Sequence, residues 1–144
     1  MIVLGPGDLY TSILPNVLID GIKDTISKSS AKVVFVLNLM TKYGQTQKFK
    51  ASDYLKEAEK YLGKNVIDYV IVNSGKLTEK ALKWYANTSA KPVEDDLDNL
   101  KEIKVIRGDF VDKNIYVKGK ADKLTRSLIR HDSDKLAKAV VSLL

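Results

Sequence analysis

Val33-Val34-Phe35-Val36-Leu37 is an unbroken run of apolar, mostly β-branched residues. A strand with one wet face would alternate apolar and polar positions. This one does not, so both of its faces need cover, as in a parallel sheet packed between helices.

The neighbouring sequence supports that reading. Upstream, Ile2-Val3-Leu4 is a shorter apolar run, stopped by Gly5-Pro6-Gly7. Between the two runs Ile13, Leu14, Val17, Leu18, Ile22 and Ile26 recur every three to four residues, the period of one helix face. Pro15 and Asp20-Gly21 divide that stretch into two short helices. Downstream, residues 38–50 form a polar loop. Ser52 is placed to cap a helix that reaches Leu62 and stops at Gly63, with Leu55, Ala58 and Leu62 inward. Residues 66–72 read as a strand, and Thr78 as the cap of a helix to Ala86 with Leu82, Tyr85 and Ala86 inward. Residues 103–106 give another strand, and Ile115-Tyr116-Val117 a weaker one of hairpin type. Residues 133–144 close as a helix with Leu136, Ala139, Val140 and Leu143 on one face. Strands alternating with helices across connections this long predict an α/β fold with a mainly parallel sheet. No repeat, low-complexity tract or linker divides the chain, so residues 1–144 read as a single domain.

Composition removes several chemistries. The 144 residues carry 24 Lys and Arg against 18 Asp and Glu, a formal charge of +6. With 44% hydrophobic and 29% charged residues the composition is that of a globular protein. There is no cysteine, which excludes disulfides, thiolate metal sites, iron–sulfur clusters and cysteine nucleophiles. One histidine, His131, excludes a multi-histidine metal centre. No apolar run approaches the roughly 18 residues of a membrane span. The apolar start lacks a basic lead and is cut short at Gly5, so it does not read as a signal peptide, and a cytoplasmic location is expected. The positive charge is dispersed lysine without interleaved aromatics. It favours small anions rather than nucleic acid.

Ligands of open parallel sheets sit beyond the carboxyl ends of the strands. Here those ends run into Gly5-Pro6-Gly7, Asn38, Asn73-Ser74-Gly75 and Gly108-Asp109. Ordinary loop chemistry and a ligand-binding rim both account for such residues. The two glycines allow close backbone approach, and a helix starting near Thr11-Ser12 would aim free amides at an anion; a simple tight turn explains them equally. Asp132 is suited to cap the last helix, which would put Arg130 and His131 at its amino end, where a guanidinium and free amides favour phosphate. His131 could donate to an anion or act as a general acid, or merely pack. The run Glu94, Asp95, Asp96 and Asp98 suits either magnesium or a solvated loop. Trp84-Tyr85 could stack on a base or sugar or serve the core.

Three stretches carry a resemblance. The segment from Ile2 through Gly5-Pro6-Gly7-Asp8-Leu9-Tyr10-Thr11-Ser12 to Asn16 resembles the "GPGSLYTSIIPN" segment of the gluconeogenesis factor family, which is CofD-like. Asn38-Leu39-Met40-Thr41 with Gly44-Gln45-Thr46 resembles its "NLMTQPGET" loop, and Arg130-His131-Asp132-Ser133 through Ala137 its "RHDPxKLA" ending. The resemblance is to the carboxyl-terminal half of the family's length. The glycine-rich phosphate loop that opens the family has no counterpart here.

That resemblance implies a Rossmann-like three-layer α/β/α fold and kinship with the 2-phospho-L-lactate transferases of deazaflavin cofactor synthesis. It implies a nucleotide sugar of the UDP-N-acetylglucosamine type as ligand, and a regulatory protein not catalytic alone. A transferase with a nucleotide-linked donor and magnesium is the alternative. Gly5, Gly7, Thr11, Asn38, Thr41, Tyr85, Arg130 and His131 are the implied ligand-binding residues, with Arg130 on a phosphate and Tyr85 at the sugar. The chain departs from the family at Asp8, where serine is usual, and at Lys42-Tyr43, where Gln-Pro is usual. Ser133 replaces proline at the start of the last helix. A half-length chain would leave a sheet edge and apolar helix faces open, so a homo-oligomer is expected.

Overall fold

The computed structural model describes residues 1–86, 89–114 and 129–144. The expected strand at 115–117 and the side chains of Trp84 and Ala86 lie outside the described residues. Four strands, β1 (Ile2–Leu4), β2 (Val33–Val36), β3 (Tyr69–Asn73) and β4 (Lys104–Gly108), form one sheet in the order β1-β2-β3-β4. Every pairing is parallel, with Leu4 opposite Phe35 and Phe35 opposite Val70. This is the α/β class and parallel sheet that the sequence implied.

Between β1 and β2 the chain makes a π-helical turn (Leu9–Ile13), α1 (Leu14–Val17) and α2 (Ile22–Lys28). Then come α3 (Ala51–Leu62), α4 (Glu79–Ala86) and α5 (Ser133–Val141). The two faces of β2 are both covered. Val33, Phe35 and Leu37 join a cluster with Leu9, Leu14, Val17 and the inner face of α3, while Val34 and Val36 join Ile71 and Phe110 on the face that α5 covers. Leu136, Ala139, Val140 and Leu143 of α5 supply that cover, as their spacing predicts. The result is three layers, helix, sheet, helix.

Local expectations fared differently. Pro15 stands in the first turn of α1, and the break falls at 18–21, where Gly21 adopts φ +82°. Ser52 does not cap α3. The cap is Lys50, two residues earlier, and Asp53 accepts from the Lys50 N–H at 3.0 Å. Ser52 instead donates its N–H and hydroxyl to Asp96, both at 2.8 Å. Leu82, expected inward, is exposed, whereas Tyr85 is buried. Strand β3 starts at Tyr69 rather than 66, because Asp68 is spent on the amino edge of the sheet. Its carboxylate accepts from Lys32 Nζ at 2.7 Å and from Val33 N–H at 2.8 Å.

Among the described residues β1 pairs with β2 alone, and Val3, Leu18 and Ile19 are exposed. Among the described residues no helix is long and apolar enough to cross a membrane.

The acidic run is used internally. Glu94 pairs with Lys50 at 2.8 Å, Asp96 holds Ser52, and Arg107 binds Asp95 through Nε at 2.6 Å and Asp98 at 2.7 Å. The Arg107 hydrogen bonds hold the Asp95 carboxyl below its ordinary range, against an opposing push from burial. A carboxylate depressed in the folded state stabilises fully above its unfolded pKa, and that stability is lost as pH falls through the folded value. Asp95→Asn should therefore flatten the acid limb of a plot of urea midpoint against pH. An acid limb as steep as that of the parent would contradict the assignment.

Candidate functional site

The carboxyl ends of β1 and β2 open into a cleft of about 920 Å³. Gly5 ends β1 at φ +86°, and its cis peptide leads into Pro6. A β-carbon on Gly5 would lie 2.9 Å from the Val36 carbonyl oxygen, so glycine is needed there both for conformation and for space. Gly7 lines the cleft without a positive φ; a β-carbon there would sit 3.2 Å from Ser12 Cβ. Gly5 itself stands behind the wall rather than in it.

The helix expected to start near Thr11 is a π-helical turn instead. The Ser12 and Ile13 N–H groups donate to the Asp8 carbonyl at 2.8 and 3.1 Å and are not available to an anion. Thr11 is exposed and lies outside the lining.

After β2, Asn38 lines the cleft, and its side chain makes no hydrogen bond among the described residues. Thr41 also lines it, but is committed to structure. Its N–H donates to the Lys91 carbonyl at 2.7 Å, and its hydroxyl accepts from the Lys91 N–H at 2.9 Å. With the Val93 N–H donating to Leu39 at 3.1 Å, this short antiparallel bridge fixes the loop after β2 against residues 91–93.

Arg130 and His131 reach the same rim by a second antiparallel bridge. Val111 pairs with His131, the Asp112 N–H donates to the Arg130 carbonyl at 2.9 Å, and the Asp132 N–H donates to the Phe110 carbonyl at 2.8 Å. Asp132 then caps α5, its Oδ1 accepting from the N–H groups of Asp134 and Lys135 at 3.1 Å each. Lys135 ties the helix back to Asp109 at 3.0 Å. Tyr85 is buried and lines the cleft. Its hydroxyl accepts from the Ile129 N–H at 3.4 Å, which makes it a support for the segment that carries Arg130. Leu136, Ala137 and Val140 of α5 give the cleft an apolar floor.

Six of the eight expected residues thus meet in one cleft: Gly7, Asn38, Thr41, Tyr85, Arg130 and His131. Burial pushes the His131 pKa below its ordinary value, with a backbone hydrogen bond at Leu37 working the other way. Burial thereby favours the neutral ring over the charged one. Arg130 and Lys42 carry the positive charge of the lining. Asn73 serves elsewhere, accepting from the Phe110 N–H at 2.9 Å and donating to Gly75 at 2.9 Å.

Two features escaped sequence reading. One is the α5 floor, which requires a single helix face to serve both sheet and cleft. The other is Asp8 with Lys42, which both line the cleft and form an ion pair. Their signal was present as two departures from one pattern, but nothing in their spacing joined them. Magnesium does not fit the acidic run. Each of its four carboxylates already has a donor within the chain, and none lines the cleft. Among the described residues no group of three or more His, Cys, Asp or Glu is arranged to hold a metal ion.

Comparison with known proteins gives a consistent picture. The family model described as "2-phospho-L-lactate transferase CofD" matches residues 1–111. A putative gluconeogenesis factor of Thermotoga maritima is 41% identical over 140 residues, 97% of this chain and 42% of that protein. The gluconeogenesis factor of Bacillus subtilis is 37% identical over 146 residues, covering 100% of this chain and 43% of its own. A crystal structure of a UPF0052 family member from Bacillus halodurans superposes with a TM-score of 0.84 at 32% identity, over 97% of this chain and 42% of that one. The chain thus spans less than half the length of each of these relatives.

Proposed function

The chain belongs to the CofD family, in the company of the gluconeogenesis factors, and from that premise we propose that its cleft binds a nucleotide sugar of the UDP-N-acetylglucosamine type in a regulatory, non-catalytic role. The observation that carries this reading is the meeting of Arg130 with the ends of β1 and β2 around one cleft. A volume of about 920 Å³ lies toward the upper end of the range for small-molecule sites, and the apolar floor with a sparse polar rim has their usual composition. The floor would accommodate a base or sugar ring. Arg130 would take a phosphate, through hydrogen bonds in which both partners are charged. Asn38 supplies an amide that can both donate and accept.

The transferase alternative draws on the family description alone. It calls for magnesium near the donor, and the acidic run does not favour that. Calorimetric titration with UDP-N-acetylglucosamine tests the binding reading. A hydrogen bond to a charged group contributes about 1.5–3 kcal/mol, so Arg130→Ala should weaken binding roughly tenfold or more. Equal affinity in parent and variant would remove Arg130 from the site.

A further inference from the structure

Asp8 and Lys42 are the two charged departures in the cleft, and they meet. Lys42 Nζ pairs with Asp8 Oδ2, linking the turn after β1 to the loop after β2 across the cleft mouth. Nothing else about Lys42 is loose. Its N–H donates to Thr46 Oγ1 at 3.0 Å, and its carbonyl accepts from the N–H groups of Gln45 and Thr46 at 3.2 and 2.9 Å. Thr46 is buried, and its hydroxyl accepts from the Tyr54 hydroxyl at 2.8 Å, with Tyr54 fully buried. On the other side stands Thr41, tied to Lys91 in both directions. The backbone of Lys42 is thus fixed, while its ammonium end stays half-exposed at the mouth.

We propose that Lys42 is a second cation for the phosphate-bearing ligand and that Asp8 is an internal competitor, holding the ammonium when the cleft is empty. This rests on the nucleotide-sugar reading and deepens it. A lysine stem swings freely about a fixed backbone, so the ammonium can pass from a carboxylate to a phosphate without rearranging the loop. An exposed lysine–carboxylate pair contributes little stability, so the exchange meets little resistance. A phosphate presents more charge and more acceptor oxygens than the carboxylate it displaces. The displaced Asp8 carboxylate then faces the anion, so Asp8 lowers affinity and Lys42 raises it. Ligands lacking charge at that end gain nothing from either residue.

The test is calorimetric titration of UDP-N-acetylglucosamine and, separately, of inorganic pyrophosphate into the parent, Asp8→Ser, Lys42→Gln, the double variant and Arg130→Ala. Thermal melts confirm that each variant is folded. Asp8→Ser should tighten binding roughly two- to fivefold, the scale of one exposed pair. Lys42→Gln should weaken it about tenfold, the scale of a hydrogen bond between charged groups. The double variant should fall between the two. Affinity unchanged or raised in Lys42→Gln, or unchanged or lowered in Asp8→Ser, overturns the proposal. If Arg130→Ala alone loses affinity, the cleft reading survives and the Lys42 reading falls. If no protein in the set binds either probe, both fall.

Discussion

Replacing Phe35 with alanine is expected to remove about 3–5 kcal/mol of folding stability, the cost of deleting a buried aromatic side chain. Phe35 is 1% exposed at the centre of the sheet, with Leu4 and Val70 opposite it on the neighbouring strands. Its ring belongs to the cluster shared by α1, α3 and the π-helical turn. These elements are anchored on a rigid sheet and cannot close over the space left behind, so the penalty for the cavity adds to the lost transfer free energy. Typical domains hold only about 5–15 kcal/mol in total, so the variant should unfold at a much lower urea concentration. A matched control is Val141→Ala, 62% exposed, which should fall within about 0.5 kcal/mol of the parent. A loss below about 1 kcal/mol at Phe35 would be incompatible with a close-packed interior at this point.

Gly5→Ala should cost roughly 2–5 kcal/mol, by a different mechanism. At φ +86° an L-residue carries about 1–2 kcal/mol of conformational strain. The added β-carbon also meets the Val36 carbonyl oxygen at 2.9 Å, a backbone atom of the central strand that cannot swing aside, and overpacking of this kind typically costs about 1–3 kcal/mol. Gly21 separates the two contributions. It has nearly the same φ, +82°, and nothing within 4 Å of its would-be β-carbon. Gly21→Ala should therefore show the strain alone, and the difference in urea unfolding free energy between the two variants measures the contact. Equal losses at Gly5 and Gly21 would mean that β1 does not approach β2 as closely as described.

These two positions also mark what the sequence could disclose. The run 33–37 announced a strand covered on both faces because periodicity is a local property, and its absence is as readable as its presence. The apolar face of α5 and its Asp132 cap were legible for the same reason: both lie within one short segment. The errors are non-local. Ser52 looked like a cap because a serine ahead of an apolar helix usually is one. The partner that claims it, Asp96, is 44 residues away. Leu82 fitted a helical stripe, but α4 presents Tyr85 to the interior and leaves Leu82 in solvent.

Site residues divide along the same line. Gly7 and Asn38 were legible because strand ends in a parallel sheet share an edge, whereas Thr41 came from the family resemblance. Arg130 reaches that edge beside the bridge between Val111 and His131, a pairing across 20 residues that no periodicity announces. The Asp132 cap pointed to Arg130, family resemblance singled it out again, and hydrogen bonding explains its position. Thr11 shows the converse. The segment matched, but the π-helical turn spends its amides on Asp8 and leaves the hydroxyl outside the lining.

Strand order follows chain order, so α1 and α3 gather on one flank of the sheet, and α5 is the described helix on the other. Leu136 and Val140 serve there twice, sealing Val34, Val36 and Ile71 and forming the bottom of the cleft. Undocking of α5 would remove one cover of the sheet and the floor of the cleft together. The docking of α5 and the integrity of the cleft are therefore one structural event: what loosens this helix from the sheet also opens the cleft from below.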